Sequence, residues 1–157
     1  MKKRNILLSG LFGLMVGICV MAKIMKKKIQ KIQTMSDKHL ALFLMMNQWV
    51  KVKQEGKSLV KYMEQNGYQE IAIYGMSYVG ECLLNELKNS NIVVKYGIDK
   101  NKDGVYTDID VFSIDDTVEE VDAVIVTSIF YINEVKKELF AKFSCPIISL
   151  EYILNEI

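Results

Sequence analysis

The chain has 157 residues, half of them hydrophobic, with 20 basic and 19 acidic side chains and a net charge of +1. That length supports one domain with a real core. The near-neutral charge argues against a general nucleic-acid binder, whose phosphate contacts need a clear basic excess. Cys19, Cys82 and Cys145 are odd in number, far apart and in no metal-ligand spacing, which argues against a disulfide framework or a zinc site and for a reducing compartment.

The first element is apolar. Ile6 to Ala22 are interrupted only by Ser9 and glycines, and the run extends to Met25 if Lys23 reaches out to the interface. Twenty helical residues span roughly 30 Å, the thickness of a bilayer core. Residues 1–25 are therefore expected to form a single-pass transmembrane anchor. Three basic residues precede the run, and Lys23, Lys26, Lys27, Lys28 and Lys31 follow it. The heavier basic flank on the C-terminal side places the rest of the chain in the cytoplasm. Gly10, Gly13 and Gly17 share a face that would let two such helices approach, one route to a homodimer.

Residues 26–67 read as a basic juxtamembrane and amphipathic helical linker. Its lysines suit anionic lipid, a topology signal, or both. Ser36 or Asp37 is positioned to cap a new helix. Leu40 to Met46 are then seven consecutive apolar residues, too few to span a bilayer and more than one docking face needs. The segment 40–50 is either buried on two sides within its own domain or shared with a partner. Gly56 interrupts the helical pattern, which resumes at Ser58 and ends at Asn66-Gly67 in a left-handed cap.

Residues 68–157 alternate strands and helices. Ile71–Tyr74 form a continuous apolar strand, as in the centre of a parallel sheet. Ser77–Lys88 follow as a helix with Val79, Cys82, Leu83 and Leu87 inward. Ile92–Ile98 form a second strand, Ile109–Phe112 a short third, and Ser113–Glu120 a short acidic helix. Asp122–Thr127 contain a fourth buried strand, Tyr131–Phe143 a helix, Ile147–Leu150 a fifth strand after Pro146, and Glu151–Glu156 a terminal helix. With right-handed crossovers this predicts an α/β, Rossmann-like parallel sheet of order 3-2-1-4-5, preceded by the membrane helix and helical linker.

The organising stretch is Ile71-Ala72-Ile73-Tyr74-Gly75-Met76-Ser77-Tyr78-Val79-Gly80. Gly75 and Gly80 match the first and last glycines of a dinucleotide fingerprint, one for the tight turn and one for helix–strand packing. The middle position is Ser77, whose hydroxyl suits a phosphate while its side chain narrows the approach. Asp99 ends the second strand, 24 residues after Gly75, where an acid accepts hydrogen bonds from ribose hydroxyls and favours NAD over NADP. Met76, Tyr78 and Lys100 flank these positions, and Thr127 and Ser128 end the fourth strand at the same sheet edge. The alternative for all of them is a structural strand–helix turn with ordinary loop chemistry.

Catalytic residues are not identified. The chain has no Tyr-x-x-x-Lys dyad, no Gly-x-Ser-x-Gly elbow and a single histidine, His39. No metal site is expected. Cys82 reads as core, Cys145 as a loop thiol, and Tyr131, Asn133 and Glu134 as candidates for the far side of the crevice.

Ile71–Gly80 together with Val94-Lys95-Tyr96-Gly97-Ile98-Asp99-Lys100-Asn101 resembles the small N-terminal domain of bacterial surface-polysaccharide sugar O- and N-acyltransferases. In that family the glycine turn and the strand-end acid hold a nucleotide-linked sugar. The acyltransferases' left-handed β-helix and catalytic histidine have no counterpart here. The resemblance, which covers residues 71 to about 127, therefore implies a binding module for a UDP-sugar or NAD rather than acyl transfer. The domain also resembles NAD-binding modules of sugar epimerases, without their catalytic dyad. The whole chain is similar to small membrane-anchored proteins of Gram-positive bacteria, which implies a place in cell-envelope polysaccharide work.

Overall fold

The computed structural model describes residues 2–130 and 132–157, with the backbone alone for residues 2–14 and Val16. The chain divides into two compact units, Met1–Leu40 and Ala41–Ile157. Helix α1 covers Lys2–Gln54, and the unit boundary falls inside it. It passes through Ser36 and Asp37, so neither residue caps a new helix as the sequence suggests. Good helix formers on both sides outweigh a single capping preference.

Half of the expected membrane segment, residues 6–14 and Val16 of Ile6–Met25, has side chains outside the described residues. Among the described residues no helix is long and apolar enough to cross a membrane.

The second unit holds the sheet. Its elements are the end of α1, α2 (Leu59–Gln65), β1 (Glu70–Tyr74), α3 (Tyr78–Leu87), β2 (Val93–Ile98), a 3₁₀ turn (Lys102–Gly104), β3 (Val111–Phe112), β4 (Ala123–Val126), α4 (Ile132–Phe140), β5 (Ile147–Ser149) and α5 (Leu150–Glu156). The five strands are parallel in the order β3-β2-β1-β4-β5, as the alternating pattern predicts. The acidic stretch before β4 forms no helix. Its Ser113 N–H donates to Asp116 at 2.8 Å, a local turn that competes with helix formation.

Strand alternation sorts the core into two layers. Ile71, Ile73, Ala123 and Ile125 pack with residues of α1, α2, α3 and α5 on one face of the sheet. Ala72, Tyr74, Tyr96, Ile98, Val124 and Val126 pack with Val135 and Leu139 of α4 on the other. The central strand is therefore covered on both sides, which is why it reads as an unbroken apolar run.

The end of α1 belongs to this unit rather than to a separate linker. Met45, Trp49 and Val52 recur at helical spacing and are buried. Trp49 Nε1 donates to Glu86 of α3 at 2.7 Å, and Lys53 pairs with the same carboxylate at 2.8 Å. Gly56 and Gly67, with φ of +70° and +77°, let the chain reverse after α1 and α2 in the left-handed region that glycine adopts cheaply. Gly67 N–H and Tyr68 N–H return to the carbonyls of Glu64 and Met63, closing α2 as expected.

One expected core residue is displaced. Cys82 is exposed, because the buried stripe of α3 runs through Val79, Gly80, Leu83 and Leu87. Gly80 draws that stripe to its own side of the helix, and Cys82 falls away from it.

At the opposite end of β1, Asp122 accepts the N–H groups of Gln69 and Glu70 at 2.8 and 2.7 Å. These two bonds hold its carboxyl below the usual value of 3.8. The folded chain thus favours the ionised form more than the unfolded chain does. Its stabilising contribution is complete above about pH 4 and is lost as pH falls through the lowered folded value. Urea titrations across this range are expected to show a shallower acid loss of stability in Asp122→Asn than in the native chain.

Candidate functional site

The site is built where the strand order reverses. From β1 the chain moves to β2 and β3 on one side, and later to β4 and β5 on the other. The carboxyl ends of β1 and β4 consequently diverge into a crevice, the general ligand position of open α/β sheets. A cleft of about 420 Å³ lies there, lined by Tyr74, Gly75, Ser77, Asp99, Lys100, Thr127, Ser128, Glu134 and Val135. Its size falls within the range of small-molecule pockets.

Close packing explains both glycines of the turn. Gly75 has φ of +93°, and a Cβ there would lie 2.7 Å from Thr127 Oγ1. A Cβ on Gly80 would run into the carbonyl oxygen of Gly75, so α3 sits directly on the turn. Gly97 in β2 has the same character, because a Cβ there would strike the Met76 side chain at 2.6 Å. Met76 is accordingly buried, at 3% exposure. Of the candidate residues it belongs to the core and offers the cleft no side chain.

Asp99 is not the free strand-end acid of the fingerprint. Its Oδ2 accepts the Met76 N–H at 2.8 Å and its Oδ1 accepts the Asn101 N–H at 2.8 Å. Its own N–H donates to Phe112 in β3 at 3.0 Å. The carboxylate therefore stitches the glycine turn to the end of β2, and it already occupies an amide that a phosphate would otherwise approach. Each carboxylate oxygen keeps a second lone pair, so acceptance of a further hydroxyl is compatible with this geometry.

Thr127 is buried, and its hydroxyl lies 2.5 Å from the Gly75 carbonyl and 3.1 Å from that of Tyr74. One hydroxyl hydrogen serves one of these acceptors at a time, so the side chain braces the turn. Ser128 donates to the Phe130 carbonyl at 2.7 Å. Ser77 stands at the N-cap of α3 without a side-chain capping bond, leaving its hydroxyl to the cleft beside the helix N-terminus, where anions are favoured.

Lys100 lies 3.4 Å from Glu138 of α4. Its ammonium pKa is raised, first by Tyr74 and then by Glu138. It is the cation among the lining residues. Tyr74 forms the wall, with its phenol pushed up chiefly by burial.

The structure thus brings together Gly75, Ser77, Asp99, Lys100, Thr127 and Ser128. Gly80 acts behind the turn, Met76 points into the core, and Tyr78 is 83% exposed outside the cleft. Glu134 lines the far wall as expected, Asn133 does not, and Tyr131 lies outside the described residues. Tyr74 was missed as a lining residue because a strand-end aromatic looks the same in sequence whether it faces a cleft or a core.

A second cleft, of about 510 Å³, is lined by 115–121 and 142–145, including Cys145. Burial pushes the Cys145 thiol pKa up, which disfavours the nucleophilic thiolate.

Stability should separate the roles in the turn. Gly80→Ala is expected to cost about 1–3 kcal/mol through overpacking, and Asp99→Asn a similar amount, because one of its two N–H partners then faces an amide nitrogen. Ser77→Ala should stay within about 0.5 kcal/mol of the native chain. Urea unfolding followed by the emission of the single tryptophan, Trp49, which is 5% exposed, reads all three.

Comparison with family models, curated proteins and solved structures finds no match to this chain.

Proposed function

We propose that this chain is a membrane-anchored module that binds a nucleotide or nucleotide-sugar at the carboxyl edge of its sheet. One observation carries the reading. The glycine turn, the helix N-terminus with an uncapped Ser77 hydroxyl, the Asp99 carboxylate and Lys100 converge on one cleft at the strand-order reversal. That combination offers the N-terminus of α3 and the Ser77 hydroxyl for phosphate, an acid for ribose hydroxyls and a cation for the remaining charge. A UDP-sugar or NAD satisfies all three requirements.

Anchoring rests on the sequence of residues 6–25 with its basic flanks, and cytoplasmic placement rests on their asymmetry. A role in envelope polysaccharide synthesis rests on the resemblance of residues 71–127 to sugar acyltransferase N-terminal domains. No reaction is assigned.

A second reading is a ligand-free scaffold. It is favoured by the two backbone N–H groups that already engage Asp99 and by the bracing role of Thr127. On this reading the apolar helix 40–50 recruits a partner at the membrane.

Calorimetric titration of the full chain in detergent with UDP-glucose, UDP-N-acetylglucosamine and NAD distinguishes the two. The binding reading predicts saturable heat with at least one ligand, weakened by Ser77→Ala and by Lys100→Ala. No heat with any of them would sink it and leave the scaffold.

A further inference from the structure

The cleft at the carboxyl edge of the sheet is polarised by which of its side chains still have a hydrogen to donate. On the β1–β2 side stand the Ser77 hydroxyl at the start of α3, free of any capping bond, and the Lys100 ammonium. Both are donors. On the β4–α4 side the side-chain hydrogens are already spent. Thr127 gives its hydroxyl hydrogen to the carbonyl of Gly75 or Tyr74. Ser128 gives its own to the Phe130 carbonyl at 2.7 Å. Val135 brings no polar group, and the remaining residue of that wall, Glu134, has a carboxylate that only accepts.

Glu134 is the group on this wall with no task inside the fold. It sits in the first turn of α4. Its neighbour Asn133 does not line the cleft, and Glu138, one turn further along the helix, is engaged by Lys100 at 3.4 Å. Among the described residues Glu134 makes no hydrogen bond or ion pair. An acid in a first helical turn suits the helix dipole, but that role does not require the side chain to face a cleft.

We infer that Glu134 is a specificity-determining residue, which accepts hydrogen bonds from the hydroxyls of a neutral sugar and rejects a sugar that carries a carboxylate. This role rests on the cleft being a nucleotide-sugar site, as proposed above. The phosphates then lie toward Ser77 and Lys100, the ribose toward Asp99, and the sugar at the far end of the ligand meets the β4–α4 wall. Ser128 Oγ, whose lone pairs are still available, is a second acceptor for it.

Donor and acceptor matching selects the sugar. A hexose presents several hydroxyls, each able to donate to a wall of acceptors. A nicotinamide ring brings only its carboxamide N–H groups, which are fewer donors. A uronic acid sets a second acceptor-only anion against Glu134, where no side chain of the wall has a hydrogen for it. Like charges brought together oppose binding, and an acceptor that loses its water without gaining a donor adds to the penalty.

The test is calorimetric titration of the full chain in detergent with UDP, UDP-glucose, UDP-glucuronate and NAD. The two sugar nucleotides differ only at the sixth carbon of the hexose, a hydroxymethyl group in one and a carboxylate in the other. The native chain is expected to bind UDP-glucose roughly tenfold more tightly than UDP-glucuronate. Glu134→Gln should narrow that gap to about threefold or less, mainly by tightening UDP-glucuronate, with the affinity for UDP kept within about twofold. Glu138→Gln, which releases Lys100 instead, should shift both sugar nucleotides by a similar factor and keep the gap. Urea unfolding followed by Trp49 emission checks that both variants fold. Equal affinity of the native chain for the two sugar nucleotides, a gap that Glu134→Gln leaves unchanged, or one that Glu138→Gln narrows as much, overturns the role of Glu134 and leaves nucleotide-sugar binding standing. Heat with NAD and none with the UDP ligands overturns the sugar assignment and leaves nucleotide binding. No heat with any of the four overturns both.

Discussion

The candidate site depends on a single carboxylate. Asp99 sits at the end of β2 and accepts one N–H from the glycine turn after β1 and another from the loop leading to the 3₁₀ turn. Three tight approaches meet beneath it: Gly75 against Thr127, Gly80 against the turn, and Gly97 against Met76. A side chain at Gly80 would meet the backbone of the turn and push α3 away, while one at Gly75 or Gly97 would displace the Thr127 or Met76 side chain. The sheet edge is therefore held by sterics from below and by an ionic hydrogen-bonded clasp from above. Such charge-assisted bonds are stronger than neutral ones.

This arrangement changes what the fingerprint means here. In a dinucleotide site the acid after the second strand is kept for ribose, and the turn amides are kept for pyrophosphate. Here the acid and one of the amides already satisfy each other. A ligand at this cleft would have to share Asp99 through its remaining lone pairs, or displace it from Met76. Ser77 and the N-terminus of α3 carry no comparable internal partner and are the parts of the turn most open to an anion. The groups that line the proposed site also hold the fold together through their own hydrogen bonds.

The sequence was most legible where burial was uniform. Ile71–Tyr74 and Ala123–Val126 read as apolar runs because helices cover both faces of the sheet, and the strand order follows from alternation and crossover handedness. It was less legible where one residue serves two purposes. Cys82 looked buried because it sits beside Leu83, yet Gly80 turns the helix so that the thiol is exposed. Asp99 looked free because a backbone acceptor role leaves no mark in the sequence. Met76 looked like a turn residue, although the absence of a side chain at Gly97 makes room for it in the core. The segment 40–50 reads as an apolar helix either buried in its own domain or shared with a partner, and the burial of Met45, Trp49 and Val52 with the Trp49–Glu86 bond shows that this end of α1 belongs to the domain.

Asp99 clasps the turn through the bond it accepts from the Met76 N–H. Amide hydrogen exchange at Met76 reads this bond directly, since a hydrogen-bonded amide exchanges only on local opening. The account predicts a slowly exchanging Met76 N–H in the native chain and fast exchange in Asp99→Ala, with the β1 amides still protected in both. A Met76 amide that exchanges in the native chain as fast as an exposed loop amide would contradict it.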